Sequence, residues 1–580
     1  MTRRGRQRGL LPRIAAILVV ALSLAAPAAH TGARQQDDEF GHSAQALIGE
    51  KLTTGEIDYE TSLVYRAYAL FDDPRLPSDL TGGGSLGEDN AFFGEVKYNW
   101  NNLSPETQKI LTPYVVRPTD SRSIFYTSLA EGPRTLPNAE AAPTYAQGNC
   151  ADNWFSKDSA KFPFKVWAHC TGDYEQDLDT AIAIVDDFWQ REVEFMGPPI
   201  LDTGSAEQGG DERIDVYFVD DEADRVERRG GDYISESTLA HAGSDAPFNG
   251  RTSSGYIVAR RPNIGDPELN MTMAHEFFHV LQDAHNYQIS FGFKGSPFNA
   301  DFDTLTYSEY WFVEATAMWV ESYIYRSQVD PDVLQRSTHS YFVFGFQGSD
   351  RSLQYSPRQG GVDFEHIYGA YIYFLFLEQE VGAQAIAQMW KNLEDVAPDD
   401  FDRTMQIIDD ILPFADHFRD FTVRNLNLDL QPGDPIDPSY IDLDRSFPEG
   451  IVPTFENESK SQDRLVPSPG GSEPLRFEDT IPSLSAHYYR FDTDSDVTQV
   501  TFDLTDLAPS PAVDLDLIVK IRDKGWERRQ LDPSQPITFC RQIPEDNVAR
   551  MYLVITNHDM NEATSVKGSF TVTADDAPCG

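Results

Sequence analysis

The 580-residue chain predicts an α+β architecture: a mixed unit in the middle, a mainly helical region before it and a β-sandwich after it. Three observations carry this expectation. Tyr59, Leu63, Val64, Ala67, Leu70 and Phe71 recur at the three-and-four spacing of a helix. From 141 to 430 strand-like apolar runs alternate with amphipathic helices, and from 476 to 580 the chain breaks into short alternating segments separated by turn residues. A chain this long exceeds what one hydrophobic core organises, so several units are expected.

At the N-terminus Arg3, Arg4, Arg6, Arg8 and Arg13 precede an apolar run from Ile14 to Leu24 and then Ala26-Pro27-Ala28-Ala29, which predicts a signal peptide over 1–29. The apolar run is too short to span a bilayer, and the next longest, Ala370 to Leu377, is shorter still. A secreted, extracellular product with no stable membrane anchor is the expectation. Residues 36–140 follow as a helical, propeptide-like region. Its helix stops at Asp72-Asp73-Pro74, and a glycine-rich break at Thr81–Ser85 leads into loop-like sequence. With no cysteine, the region has no thiol with which to cap a metal.

The unit over 141–430 has strand candidates at Phe164–His169, Ile214–Val219 and Tyr256–Ala259. Helices are expected at Asp177–Phe195, Leu269–His285, Tyr310–Tyr325 and Tyr368–Gly382. Proline, glycine, serine and acidic residues mark 431–475 as linker. Beyond it Tyr488–Phe491, Val500–Leu504, Leu515–Ile521, Met551–Thr556 and Gly568–Val572 are the strands of a small β-sandwich over 476–580. Four cysteines in an exported chain predict disulfides, and the nearness of Cys150 to Cys170 and of Cys540 to Cys579 favours two local bridges.

Charge narrows the partners. The chain has 47 basic and 93 acidic residues, a net −46; loss of the five leader arginines makes this −51. Such a surface repels nucleic acid and anionic lipid. It reads as a solvating coat, with calcium sites as the sharper alternative.

His275-Glu276-Phe277-Phe278-His279 is the sharpest chemical signal. Residues four apart on a helix share a face, so both imidazoles can hold one zinc ion. Glu276 then stands beside the open coordination position, where a base can take a proton from a water made acidic by the metal. A third ligand is required. Glu314, in the aromatic-rich helix Trp311–Glu321, is preferred to His285, because the pattern that uses a histidine there needs glycine at position 282 and this chain has Gln282. Glu321, two turns beyond Glu314, reads as a supporting acid. Tyr368 and His366 are candidate donors to a developing oxyanion.

His275, Glu276, His279 and Glu314, with Trp-x-x-Glu-x-x-Ala after the motif, resemble the gluzincin side of the zincin superfamily. The resemblance is to secreted bacterial metalloproteases of the hyicolysin type. It implies a zincin-like catalytic domain, zinc ligands at His275, His279 and Glu314, a base at Glu276, and a protein or peptide substrate bound extended, here against an edge near Tyr256–Ala259. In thermolysin-like relatives an aspartate four residues past the glutamate ligand supports a histidine; Met318 stands at that place. His487–Phe491 and Val513–Ile518 resemble a pre-peptidase C-terminal domain, whose Asp492, Asp494, Asp496, Asp514 and Asp516 are the candidate calcium ligands. A non-catalytic surface or adhesion protein and a metal-dependent amidase are the competing expectations.

Overall fold

The protein is described from a computed structural model over residues 44–71, 73–81, 90–126, 154–170, 173–219, 239–245, 251–289, 309–325, 351–355, 365–397, 400–426, 428, 461–465, 475–505, 511–532, 534–561, 565–576 and 578. The expected leader lies outside them.

The N-terminal region folds as α1 (Ala44–Thr53), α2 (Tyr59–Leu70), α3 (Asn90–Asn99) and α4 (Pro105–Val115). Side-chain caps fix two of the starts: Asp58 accepts from the Thr61 amide, and Ser104 accepts from the Thr107 amide with Pro105 in the first turn. Helices α3 and α4 fall where the sequence reads as loop. The apolar face of α3 is only Phe92, Phe93 and Val96, and Pro113 interrupts the pattern of α4.

After β1 (Trp154–Asp158), β2 (Phe164–His169), α5 (Tyr174–Met196), β3 (Ile214–Val219), β4 (Ala240–Ser244) and β5 (Gly255–Arg260), the sheet order is β1-β2-β3-β5-β4. Its three inner strands are parallel and both edges antiparallel. Alternate side chains on a strand face opposite ways, and here each set has its own core. Phe164, Val166, Ile214, Val216, Phe218 and Ile257 meet α5, α6 (Pro267–Asn286) and α7 (Tyr310–Tyr325). Tyr217, Val219, Tyr256 and Val258 meet Leu63, Phe71, Phe92, Phe93 and Tyr114 of the N-terminal helices. Burial on both faces explains why β3 and β5 are nearly continuous apolar runs.

A charged hub fastens the two layers. The Arg117 guanidinium, buried just after α4, donates to Asp202 at 2.7 and 2.8 Å, to Asp215 at 2.5 Å and to Asp245, and lies 5.0 Å from the Tyr256 ring centre. Asp215 also accepts from Trp167 Nε1 at 2.7 Å and from the Tyr217 hydroxyl at 2.8 Å.

Helices α8 (Glu365–Gly369), α9 (Tyr371–Val381), α10 (Gln384–Leu393), α11 (Phe401–Ile411) and α12 (Phe414–Arg424) complete the middle of the chain. The last two sheets have orders β11-β10-β13-β8-β6 and β12-β9-β14-β7 and share one core. Their strands are β6 (Ser461–Leu465), β7 (Leu475–Ile481), β8 (Ser485–Thr493), β9 (Gln499–Asp503), β10 (Val513–Ile521), β11 (Gly525–Gln530), β12 (Ile537–Cys540), β13 (Val548–Asn557) and β14 (Val566–Asp575). Strand β6, parallel to β8, lies within the stretch read as linker: backbone pairing outweighs its polar composition. Arg419 of α12 holds Asp516 at 2.6 Å, and the Tyr488 hydroxyl donates to the Thr422 carbonyl at 2.9 Å, docking α12 on this stack. Cys170 and Cys540 are each disulfide-bonded, and their partners fall outside the described residues.

Replacing Arg117 with Met keeps the bulk but strands three carboxylates around no cation. A loss of about 3–5 kcal/mol is expected, read as a lowered denaturant midpoint; an unchanged midpoint would show that the hub does not hold the layers.

Candidate metal centre

Helix α6 starts at Pro267 and is buried over most of its circumference, which suits a run as apolar as Met271–Leu281. His275 and His279 leave it on one side, with ring centroids 4.8 Å apart and planes at 73°. Helix α7 packs across α6 and carries Glu314 to both rings, its Oε2 lying 3.2 Å from His275 Nε2 and 3.6 Å from His279 Nε2. One ligand atom from each residue lies within 4.8 Å of the others, and all three residues are buried.

The outer nitrogens define what the inner ones can do. Gln282 donates its amide to the Val313 carbonyl and to Thr316 Oγ1, both at 3.0 Å, so its oxygen faces His279 Nδ1 at 2.7 Å as an acceptor. His275 Nδ1 lies 3.0 Å from Glu321 Oε1, and an ionised carboxylate only accepts. Each Nδ1 therefore holds the proton of a neutral imidazole, and each Nε2 turns a lone pair toward the Glu314 carboxylate. Three electron-pair donors meet with no hydrogen between them unless both rings become imidazolium. His279 Nε2 and Glu314 Oε1 have no hydrogen-bond partner among the described residues. The same need for positive charge shows in Glu314 itself: burial pushes its carboxyl up, and it falls to about 2 only when charge on His279 and His275 offsets that burial, a part that a bound cation takes when the rings stay neutral. A divalent cation with an affinity for imidazole fits this set.

Glu276, the candidate base, is fully buried beside His275 in the chain. The Tyr368 ring centre is 6.4 Å from that of His275, so this candidate borders the centre. His366 is placed elsewhere: its Nε2 lies 2.9 Å from the Ser352 carbonyl and its ring packs on Tyr355. His285 turns away as expected, toward Glu394 at 2.9 Å and the Met196 carbonyl at 3.1 Å. The sequence alone shows only half of what supports the rings. Glu321 takes the part that Met318 leaves open, while Gln282, read merely as the absence of glycine, is the partner of His279.

Beside the centre is a cavity of about 20 Å³ walled by Phe93 and Gly94 of α3, Ala242 and Ser244 of β4, His279 and Asp283 of α6, and Glu314. The strand bordering it is β4. The expected edge at Tyr256–Ala259 belongs to β5, which β3 and β4 enclose on both sides and which has no free edge to offer. Of the candidate calcium carboxylates, Asp516 is held by Arg419 and Arg528 and Asp492 by Arg550, Asp514 lies 2.9 Å from His558 Nδ1, and Asp494 and Asp496 accept from the Ser495 hydroxyl. Among the described residues His275, His279 and Glu314 are the one group placed to share a metal.

Comparison with protein-family models, curated proteins and solved structures finds no match to this chain.

Glu321→Gln and Gln282→Leu each loosen one imidazole while leaving the three inner donors in place. Zinc affinity is expected to fall by roughly 10–100-fold in either, measured by competition with a chromogenic chelator, whereas His285→Ala should leave it unchanged.

Proposed function

We propose that this chain is an exported zinc-dependent peptide-bond hydrolase with a gluzincin-type centre in a zincin-like unit. The observation that carries the reading is the convergence of His275 Nε2, His279 Nε2 and Glu314 on one buried point, with Glu276 adjacent. Two histidines and a glutamate leave a fourth position open, as catalytic zinc requires, and a purely structural site has no use for a base at 276. Export rests on the order of charged, apolar and small residues in 1–29. Among the described residues no helix is long and apolar enough to cross a membrane.

Bound zinc supplies Lewis acidity toward a scissile carbonyl and acidifies water. The remaining work belongs to the chain. His275, His279 and Glu314 hold the ion, with Glu321 and Gln282 fixing the rings. Glu276 takes the proton of the attacking water and hands it to the leaving amine. Tyr368 donates a hydrogen bond to the oxygen as it becomes an oxyanion. The packed aromatic walls around α6 and α7 keep other water out, which strengthens each of these interactions.

Glu276→Gln preserves shape and removes basicity. The secreted variant is expected to retain zinc by metal analysis while casein hydrolysis falls by about 10² or more; full activity would remove Glu276 from the reaction. Tyr368→Phe is expected to lower kcat by roughly 10² with little change in KM.

A further inference from the structure

A linker at 431–475 would leave the C-terminal sheets a separate body, yet two seams tie them to the middle of the chain, and both lead toward the metal centre. The first is the turn between β7 and β8. Leu484 stands there with φ at +41°, in the left-handed region that leucine rarely adopts. Its side chain is buried in the core that also holds Leu353, Ile367 and Tyr368. Such a conformation persists only where its surroundings over-determine it. Here the Leu484 amide donates to the Asp559 carbonyl at 3.1 Å, and the Leu484 carbonyl accepts from the Leu353 amide at 2.8 Å. Gln354 adds a bond from its Nε2 to the Met560 carbonyl at 3.1 Å.

The segment 351–355 passes this hold on. The Ser352 carbonyl can only accept, so the His366 Nε2 that lies 2.9 Å away carries a proton and donates to it. The Tyr355 ring stands edge-on to that of His366, with centroids 5.9 Å apart. His366 is fully buried in the five-residue helix α8, and Tyr368 lies two residues on, its ring bordering His275. A helix of five residues has little stability of its own, so its side chains are fixed from outside it. The second seam is α12, already bound to the stack through Asp516 and Tyr488. Its Arg424 donates to Gln379 at 2.9 Å and to Glu380 at 2.7 Å on α9, and the adjoining Glu378 accepts from Trp319 Nε1 of α7 at 3.0 Å. The helix that carries Glu314 is thus reached as well.

We propose that the C-terminal stack is a working part of the metal centre: the Leu484 turn, through 351–355, clamps His366, and His366 is a positioning residue that sets the Tyr368 hydroxyl for the substrate oxygen. This deepens the zinc-peptidase reading and rests on it for the role of Tyr368. With its Nε2 proton committed to Ser352, His366 acts through Tyr368 rather than on the substrate.

Two readouts in the full chain test this, and the first needs no metal. Hydrogen exchange of the peptide spanning 365–370 reports the opening of α8, whose His366 carbonyl accepts from the Ala370 amide at 2.9 Å. Leu484→Ala in the stack and His366→Phe in α8 are each expected to speed this exchange about tenfold or more while β2 and β3 keep their protection, and His366→Gln, which still offers an N–H to Ser352, should stay within about threefold of wild type. Unchanged exchange at α8 in Leu484→Ala, or an equal loss across β2 and β3, would overturn the clamp whatever the activity of the chain. The second readout is kinetic. Leu484→Ala and His366→Phe are each expected to lower kcat about tenfold with KM and bound zinc unchanged, and neither should lower it further in a Tyr368→Phe background, because an effect exerted through one hydroxyl vanishes with that hydroxyl. Losses that multiply in the double variants would overturn the positioning role and leave the peptidase reading standing. A wild type without zinc-dependent hydrolysis would remove the peptidase reading and the part of Tyr368 with it, the clamp itself then standing or falling on the exchange.

Discussion

A fully buried carboxylate has to take up a proton or be matched by positive charge, and Glu314 is placed where the centre can supply that charge. It sits on a helix whose neighbours are Trp311, Phe312, Val313, Ala315 and Trp319, in the largest apolar core of the chain. Leaving it uncompensated there would cost several kcal/mol. Both helices that form the site are fixed by this requirement. Helix α6 must present two rings on one side, and α7 must approach until a single oxygen reaches both. The aromatic packing of Trp311 on Phe374, Phe312 on Trp390 and Phe195 on Trp319 holds α7 at that distance. The apolar core and the polar centre are thus one construction, since the low polarity of the first sharpens the electrostatics of the second.

The supporting groups show how the constraint propagates outward. Glu321 lies two turns beyond Glu314 on the same helix, and Gln282 lies one turn beyond His279 on the other. Each ring is therefore held by the helix pair that also brings the ligands together. Gln282 is bound in turn to the Val313 carbonyl and Thr316, so a shift of α7 would disturb His279 through its second nitrogen as well as through Glu314.

What the sequence made legible was whatever a local period encodes. The imidazole pair follows from a spacing of four, Glu314 from a carboxylate amid aromatics, and β2 and β3 from apolar runs whose ends the structure reproduces at Phe164–His169 and Ile214–Val219. Strand β4 was illegible for a steric reason. Its sequence, Ala240-His-Ala-Gly-Ser244, has no branched residue, and at Gly243 a Cβ would stand 2.3 Å from Cζ of Tyr256, so the strand is built from small residues to let that ring cross. Arg117 was illegible because its carboxylates at 202, 215 and 245 come together only through the sheet. Helix α3 was hidden by its length, and what fixes it is tertiary: Phe93 stacks on His241 of β4, and Glu95 pairs with Arg66 of α2.

The energetics bind the N-terminal helices to the sheet as one layer. Stripping the whole N-terminal region from the sheet would expose Tyr217, Val219, Tyr256 and Val258 and would take Arg117 away from Asp202, Asp215 and Asp245. At a few kcal/mol for each buried aromatic or aliphatic side chain and for each stranded charge, that departure is prohibitive for a domain of ordinary stability. Helix α3 takes no part in the Arg117 hub, yet it is held in the layer by its own means: Phe92 and Val96 are buried in the shared core, and Glu95 pairs with Arg66 and accepts from the Tyr59 hydroxyl of α2 at 2.8 Å. A buried pair of this kind is costly to break from either side, so α3 stays with the layer that covers the sheet.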